Sequence, residues 1–231
     1  MLLVLTAISI AFLVSASAGL GGSLVLVPVL TLALGAKSGI SLAALLLAGN
    51  NIVKLWAYRR TLPLRASATV TLCTLVGAVI GSRLLVILPE QGAQAIVVFS
   101  LALALLAERW ELRALRASLG SSSAVLAGAM SGISGTSGPL KGVAVRALGL
   151  DRMHTIGAAA MVSAASDLTK TAVFAEAGLL GRDELQLALL SIPLMIAATF
   201  AGRQFAMTIG EKGFARLFWI VIGGYTVRML L

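Results

Sequence analysis

"SASAGLGGSLVLVPVLTLALG", Ser15 to Gly35, is the stretch whose reading decides the fold. It is apolar enough for lipid, yet Gly19, Gly21 and Gly22 fall within four positions and Pro28 follows, where a helix crossing a bilayer should be continuous. Three readings compete: the end of a signal peptide, a kinked helix, and a binding site built on a broken helix. Ser15-Ala16-Ser17-Ala18 resembles a signal-peptidase site, but no Lys or Arg precedes it as a basic leader would require. Residues 1–20 are therefore expected to stay in the mature protein.

The chain around this stretch is 59% hydrophobic and 12% charged over 231 residues, with a mean hydropathy of +1.02. Soluble domains carry about a quarter charged residues. Apolar runs at 41–58, 66–88, 92–107, 155–175, 185–209 and 213–231 approach or exceed the roughly 20 residues a helix needs to cross about 30 Å of hydrocarbon. The period-two alternation of a membrane barrel is absent, so the expected class is an all-α integral membrane protein. The net charge of +9 comes from basic residues in short loops between apolar runs, which argues for membrane orientation and against a nucleic-acid partner. Cys73 is a single cysteine inside an apolar run, so neither a disulfide framework nor a cysteine metal site is expected. His154 sits at a helix start and reads as a solvated or capping residue. No metal or cofactor is expected.

The glycine interruption recurs. "GLGGS" at Gly19–Ser23 returns as "GISGT" at Gly132–Thr136, and "NNIVK" at Asn50–Lys54 returns as "SDLTK" at Ser166–Lys170. "GSRLLVILPEQG" at Gly81–Gly92 returns as "GRQFAMTIGEKG" at Gly202–Gly213. The three ordered matches align Asn51 with Asp167, Lys54 with Lys170 and Glu90 with Glu211, and they point to a duplication. The first repeat is expected over 1–115, with a hairpin at 1–35 and helices at 40–58, 65–88 and 92–108. The second is expected over 116–231, with a hairpin at 119–150 and helices at 154–176, 184–209 and 212–231.

In the second copy the two apolar pieces, 119–132 and 139–150, would be about 21 and 18 Å long as helices, too short to span. Half-length helices meeting at a glycine-rich turn predict a re-entrant hairpin. One hairpin plus three crossings per repeat inverts the second copy. With re-entrant hairpins one side carries Arg59, Arg60, Arg65, Arg109, Arg113, Arg116, Arg146, Arg152 and Lys212, against Lys37, Arg182 and Arg228 on the other. Eight simple spans separate the same charges eight to four, so the positive-inside rule favours the re-entrant arrangement. It puts the Arg-rich loops around 59–65 and 109–116 in the cytoplasm and both termini outside.

A helix that starts inside a membrane presents unpaired N–H groups and the positive end of its dipole, a ready anion site. Gly21, Gly22 and Ser23 in one half, and Ser134, Gly135, Thr136, Ser137 and Gly138 in the other, are the expected substrate-binding positions, with Asn51. Pro139 suits the first position of a helix. Lys141 then stands in the first turn, where a cation opposes the dipole, and is expected to bind the anion. Gly77/Gly81 and Ala198/Gly202 read instead as close helix packing. Asp167 and Lys170, three apart in an apolar run, share a face and can pair. With Lys54 they are candidates for coupling or charge balance. Glu176 reads as interfacial, and Trp56, Tyr58 and Trp110 beside Arg59, Arg60 and Arg109 as an aromatic belt.

"GLGGSLVLVPVL" followed by a half-length repeat carrying "SGTSGP" resembles the TauE/SafE sulfite exporter family over nearly the whole chain. The second copy departs from a simple glycine triplet by reading Ser134 to Pro139, with Lys141 after it. The resemblance implies a small secondary permease of the bacterial inner membrane, moving sulfite, sulfonates, sulfoacetate or related small anions. The expected partners are a small anionic substrate and the bilayer, with homodimerisation left open. An intramembrane enzyme using Asp167, Glu176 and His154, and a non-transporting assembly factor, are the rival classes. No metal-ligand spacing, nucleotide loop or nucleophile–base pair supports the enzyme.

Overall fold

A computed structural model describes residues 6, 8–9, 12–13, 22–109, 120–136 and 138–208. Eight α-helices run through them: α1 Gly22–Leu34, α2 Ala36–Ala57, α3 Leu64–Ile87, α4 Glu90–Arg109, α5 Gly120–Ser134, α6 Gly138–Arg146, α7 Arg152–Glu176 and α8 Arg182–Thr208. A 3₁₀ turn, Arg59–Thr61, follows α2. The expected all-α class holds. The expected helix over 212–231 and most of the first arm of the first hairpin lie outside the described residues.

Local chemistry sets the boundaries. Leu62 and Leu88 each precede a proline, and both are extended (ψ 115° and 146°), because the proline ring disfavours helical geometry in the residue before it. Helices α3 and α4 therefore begin just after Leu62-Pro63 and Leu88-Pro89. Asp151 caps α7, its side chain accepting from the Met153 and His154 N–H groups at 3.0 and 3.2 Å. The same helix ends in a Schellman turn: Leu179 N–H donates to Phe174 O and Gly178 N–H to Ala175 O, with Gly178 at φ 72°. Between α1 and α2 the chain turns at Gly35 (φ 89°). The N-terminus of α2 has no cap from its own sequence. Glu90, from the start of α4, supplies its carboxylate to the Ala36 and Lys37 N–H groups instead.

Side-chain polarity is arranged for lipid. Helix α3 turns Ser67, Thr74, Gly77, Ala78, Gly81 and Ser82 inward and leaves Leu72, Val76, Ile80 and Ile87 exposed. Helix α8 does the same, burying Ser191, Ala198 and Thr199 while Leu189, Ile192, Ile196 and Phe200 face outward. A water-soluble helix would show the reverse. In lipid, large apolar side chains gain nothing by packing inward, whereas small residues let backbones approach and hydroxyls find partners. Hydroxyls satisfy themselves on their own helix, as Thr74 does on Val70 O (2.8 Å) and Ser191 on Leu187 O (2.7 Å). Helices α2 and α3 and the first 20 residues of α8 are long and apolar enough to cross a membrane. At 24 residues, α3 is about 36 Å long.

Helix α3 packs most extensively against α5, then against α7, while α2 sits between α1 and α7. The α3–α5 contact is backbone against backbone. A Cβ at Gly77 would stand 2.0 Å from Val125 O, one at Gly81 2.0 Å from Ala129 O, and one at Gly128 2.1 Å from Thr74 O. Glycine is required on both helices at these crossings. Gly77 and Gly81 are thus packing residues; the side-chain surroundings of Gly202 lie outside the described residues.

Candidate functional site

Helices α5 and α6 are short and follow one another across a break in the chain's helical path. They hold 15 and 9 residues, about 22 and 14 Å, so neither reaches across about 30 Å of hydrocarbon. The break runs through Gly135, at φ 73°. A Cβ there would also meet Val27 Cγ2 at 2.9 Å and Ile40 Cγ2 at 3.3 Å. Conformation and space both demand glycine, and the break is seated against α1 and α2 of the first half of the chain.

The hydroxyls at the break bond to one another. Ser134 Oγ donates to Met130 O at 2.7 Å and lies 3.2 Å from Thr136 Oγ1; Thr136 N–H donates to Ser134 Oγ, and Ser100 Oγ of α4 lies 3.0 Å from Thr136 Oγ1. The Thr136 amide is thus taken by Ser134. Gly22, Ser23 and Gly138 stand at helix starts, the first two opening α1 and Gly138 opening α6. Gly21 and Ser137 lie outside the described residues.

The charged candidates converge one turn away from the break. Lys54, Lys141, Lys170 and Asp167 are 2, 6, 1 and 3% exposed. Lys170 Nζ pairs with Asp167 Oδ1 at 2.6 Å on one face of α7, and Asn51 of α2 donates to Asp167 Oδ2 at 2.7 Å. The second donor contact of Lys170 is to Ser131 Oγ of α5, at 3.1 Å. Lys141 Nζ, from α6, reaches the same oxygen at 3.2 Å, and Ser166 Oγ also donates to it at 3.2 Å. Lys54 lies close enough to interact with the charges of Asp167 and Lys141. Helices α2, α5, α6 and α7 thus each contribute to one buried cluster.

Two ammonium nitrogens on one hydroxyl cannot be further apart than the sum of their distances to it. At an effective dielectric of about 20, like charges about 6 Å apart repel by roughly 3 kcal/mol. An anion in contact with both would remove that repulsion.

Sequence reasoning found Lys141, Asp167, Lys170, Lys54 and Asn51 but missed Ser131 and Ser166, around which they meet. A signal existed: Ser166 precedes Lys170 by one turn, and Ser131 precedes Gly135 by one turn. A second pair was also missed, Thr199 Oγ1 of α8 donating to Asn50 Oδ1 of α2 at 2.7 Å. The aromatic belt needs one correction. Trp56 is exposed with Arg59 stacked 5.2 Å from its ring centroid, but Tyr58, which ends α2, is buried. Trp110 lies outside the described residues. His154 pairs with Asp151 at the start of α7.

No curated protein and no solved structure matches this chain. The family model for sulfite exporter TauE/SafE matches residues 3–229. With a glycine break between α5 and α6, an outward apolar surface and a buried cationic cluster in place, the match covers nearly the entire sequence, and the chain belongs to the TauE/SafE family of membrane transporters.

Proposed function

We propose that this protein is a secondary transporter of small organosulfur or sulfur-oxyanion substrates, such as sulfite, sulfonates or sulfoacetate, and not an enzyme. The observation that carries the reading is the sharing of Ser131, on α5, by two buried lysines from different helices, Lys141 of α6 and Lys170 of α7. Such a cluster, inside a surface built for lipid, offers an anion several N–H donors at once.

The protein consists of two inverted repeats in the bacterial inner membrane, with re-entrant hairpins and the Arg-rich loops in the cytoplasm. Substrate exchanges sides by rocking one repeat against the other about the cluster. Two observations support this. The aligned residues Asn51 and Asp167 meet in the core, as positions near a two-fold axis do. The break at Gly135 rests on α1 and α2 of the other repeat. Asp167 exchanges its partners as substrate enters, and with Lys54 and Lys170 it balances the charge of the cycle.

Reconstitution into liposomes tests the function. Saturable uptake of labelled sulfite or sulfoacetate is expected, lost in Lys141→Ala with membrane insertion intact. Wild-type flux in that variant, or no flux of any sulfur anion, would sink the reading.

A further inference from the structure

The end of the molecule at which α2 stops is basic. The 3₁₀ turn after α2 and the first turn of α3 expose Arg59, Arg60 and Arg65, and among the described residues none of the three pairs with a carboxylate. Helix α7 begins at this end, since a Cβ at Gly157 would stand 2.3 Å from Thr61 O, and its Asp151 is engaged with His154. Glu90, Asp183 and Glu184 lie at the opposite end. Glu90 caps the start of α2. Helix α8, which opens with Asp183 and Glu184, runs beside α2 in the same direction: Met195 packs at Gly49, Thr199 bonds to Asn50 and Phe200 meets Trp56.

One of these arginines is held in place. The Arg59 guanidinium lies 5.2 Å from the Trp56 ring centroid, and its Nη1 donates to Trp56 O at 3.3 Å. Phe200 of α8 meets Trp56 edge-on, with ring centroids 6.3 Å apart. Trp56 and Phe200 nonetheless stay 59 and 40% exposed. Ile52 and Ile196, one turn before them on their own helices, are exposed as well. The seam between α2 and α8 therefore carries an apolar track that ends, at the basic end, in a cation on an aromatic shelf. Tryptophan at a helix end sits at the level of lipid headgroups. A guanidinium has five N–H donors in one plane; stacking fixes that plane and leaves its outer edge to take two phosphate oxygens side by side.

We propose that this shelf is a binding site for an anionic phospholipid, with the phosphate on Arg59 and an acyl chain along Ile52 and Ile196. Arg60, next in the chain, selects against a headgroup that carries its own positive charge. A choline lipid fits less well for two reasons. Its quaternary ammonium would face Arg60, and the Trp56 ring that could receive it is already covered by Arg59. A second copy of the chain on the same seam would desolvate Arg59 and Arg60 with no carboxylate of this seam to pair them, which is costly. A lipid phosphate supplies the missing negative charge and leaves the arginines at the interface.

The test reconstitutes the full chain in bilayers of equal parts phosphatidylglycerol and phosphatidylcholine, extracts it in mild detergent, and weighs the protein with its retained lipid by native mass spectrometry. Phosphatidylglycerol is expected to be retained about fivefold over phosphatidylcholine. Arg59→Gln should bring that ratio close to one, and Trp56→Leu, which removes the shelf and keeps the charge, should lower it too. Both side chains are exposed, so both variants should stay folded and monodisperse. Arg65→Gln, which removes the same charge from α3, should leave the ratio unchanged. Added glycerol 1-phosphate should not displace the lipid, because it lacks the chain that lies on Ile52 and Ile196. Equal retention of the two lipids by the wild type overturns the site. So does an equal loss in Arg59→Gln and Arg65→Gln, which would mean diffuse attraction to the basic end. Displacement by glycerol 1-phosphate, or a dimer that carries no lipid, overturns it as well.

Discussion

Asn51 donates its side-chain amide to Asp167 over 2.7 Å, although 116 residues separate them in the chain. The bond ties α2 to α7 and occupies the carboxylate oxygen that Lys170 does not hold. It is charge-assisted and nearly fully buried, so its loss uncovers one oxygen of a buried carboxylate.

Asn51→Leu should therefore lower stability in detergent by roughly 1–3 kcal/mol. Unfolding of that variant at the wild-type midpoint would show that the contact contributes nothing.

Lys170→Met removes the partner of a buried carboxylate. Such a change costs about 3–5 kcal/mol when the remaining charge has nowhere to go. Adding Asp167→Asn to it should restore most of that loss, since the stranded charge is gone. A double-mutant cycle on thermal or denaturant unfolding reads the coupling directly, and additive losses would contradict it.

Glycines at the α3–α5 crossing and glycines in open turns should respond differently. Gly81→Val drives a side chain into Ala129 O and should abolish folded protein. Gly149 has φ 63° with nothing within 4 Å of its Cβ position, so Gly149→Ala meets only the backbone preference, about 1–2 kcal/mol. Yield of monodisperse protein after solubilisation separates the two cases.

The start of α2 depends on a residue from another helix. Glu90→Ala should cost about 1 kcal/mol by uncovering the Ala36 and Lys37 N–H groups at the positive end of the helix dipole. Amide exchange at Ala36 and Lys37 should speed up in that variant while the middle of α2 is unaffected. Unchanged exchange there would remove Glu90 from the role.

Asp151 provides the pH dependence outside the membrane. The His154 backbone N–H, and then the His154 side chain, hold its carboxyl below the usual carboxylate range. A depressed acid stabilises the fold above its unfolded value of about 4 and loses that contribution as pH falls through the lower folded value. Helix α7 should thus keep its cap at neutral pH and begin to fray only below about pH 4. Asp151→Asn should flatten this dependence, which amide exchange at Met153 and His154 would report.

The sequence by itself determined the all-helical membrane class and the family, because both rest on features that stay local: apolar runs, the balance of charge, and glycine-rich breaks that recur. The Asp167–Lys170 pair was legible for the same reason, three residues apart on one helix face. Only the tertiary structure decided that Lys141 and Lys170, from separate helices, share the hydroxyl of Ser131, and that Thr136 spends its amide on Ser134. A serine in an apolar run reads equally well as a packing residue, and its distinction comes from which helices cross beside it. Gly77 and Gly81 read as packing residues in the sequence, but their partner helix α5 and the reciprocal glycine, Gly128, emerge only when two backbones meet. Tyr58 reads as part of an interfacial belt from its neighbours in sequence, and is buried at the end of α2. In each case periodicity names the face of a helix, and the path of the chain decides what that face touches.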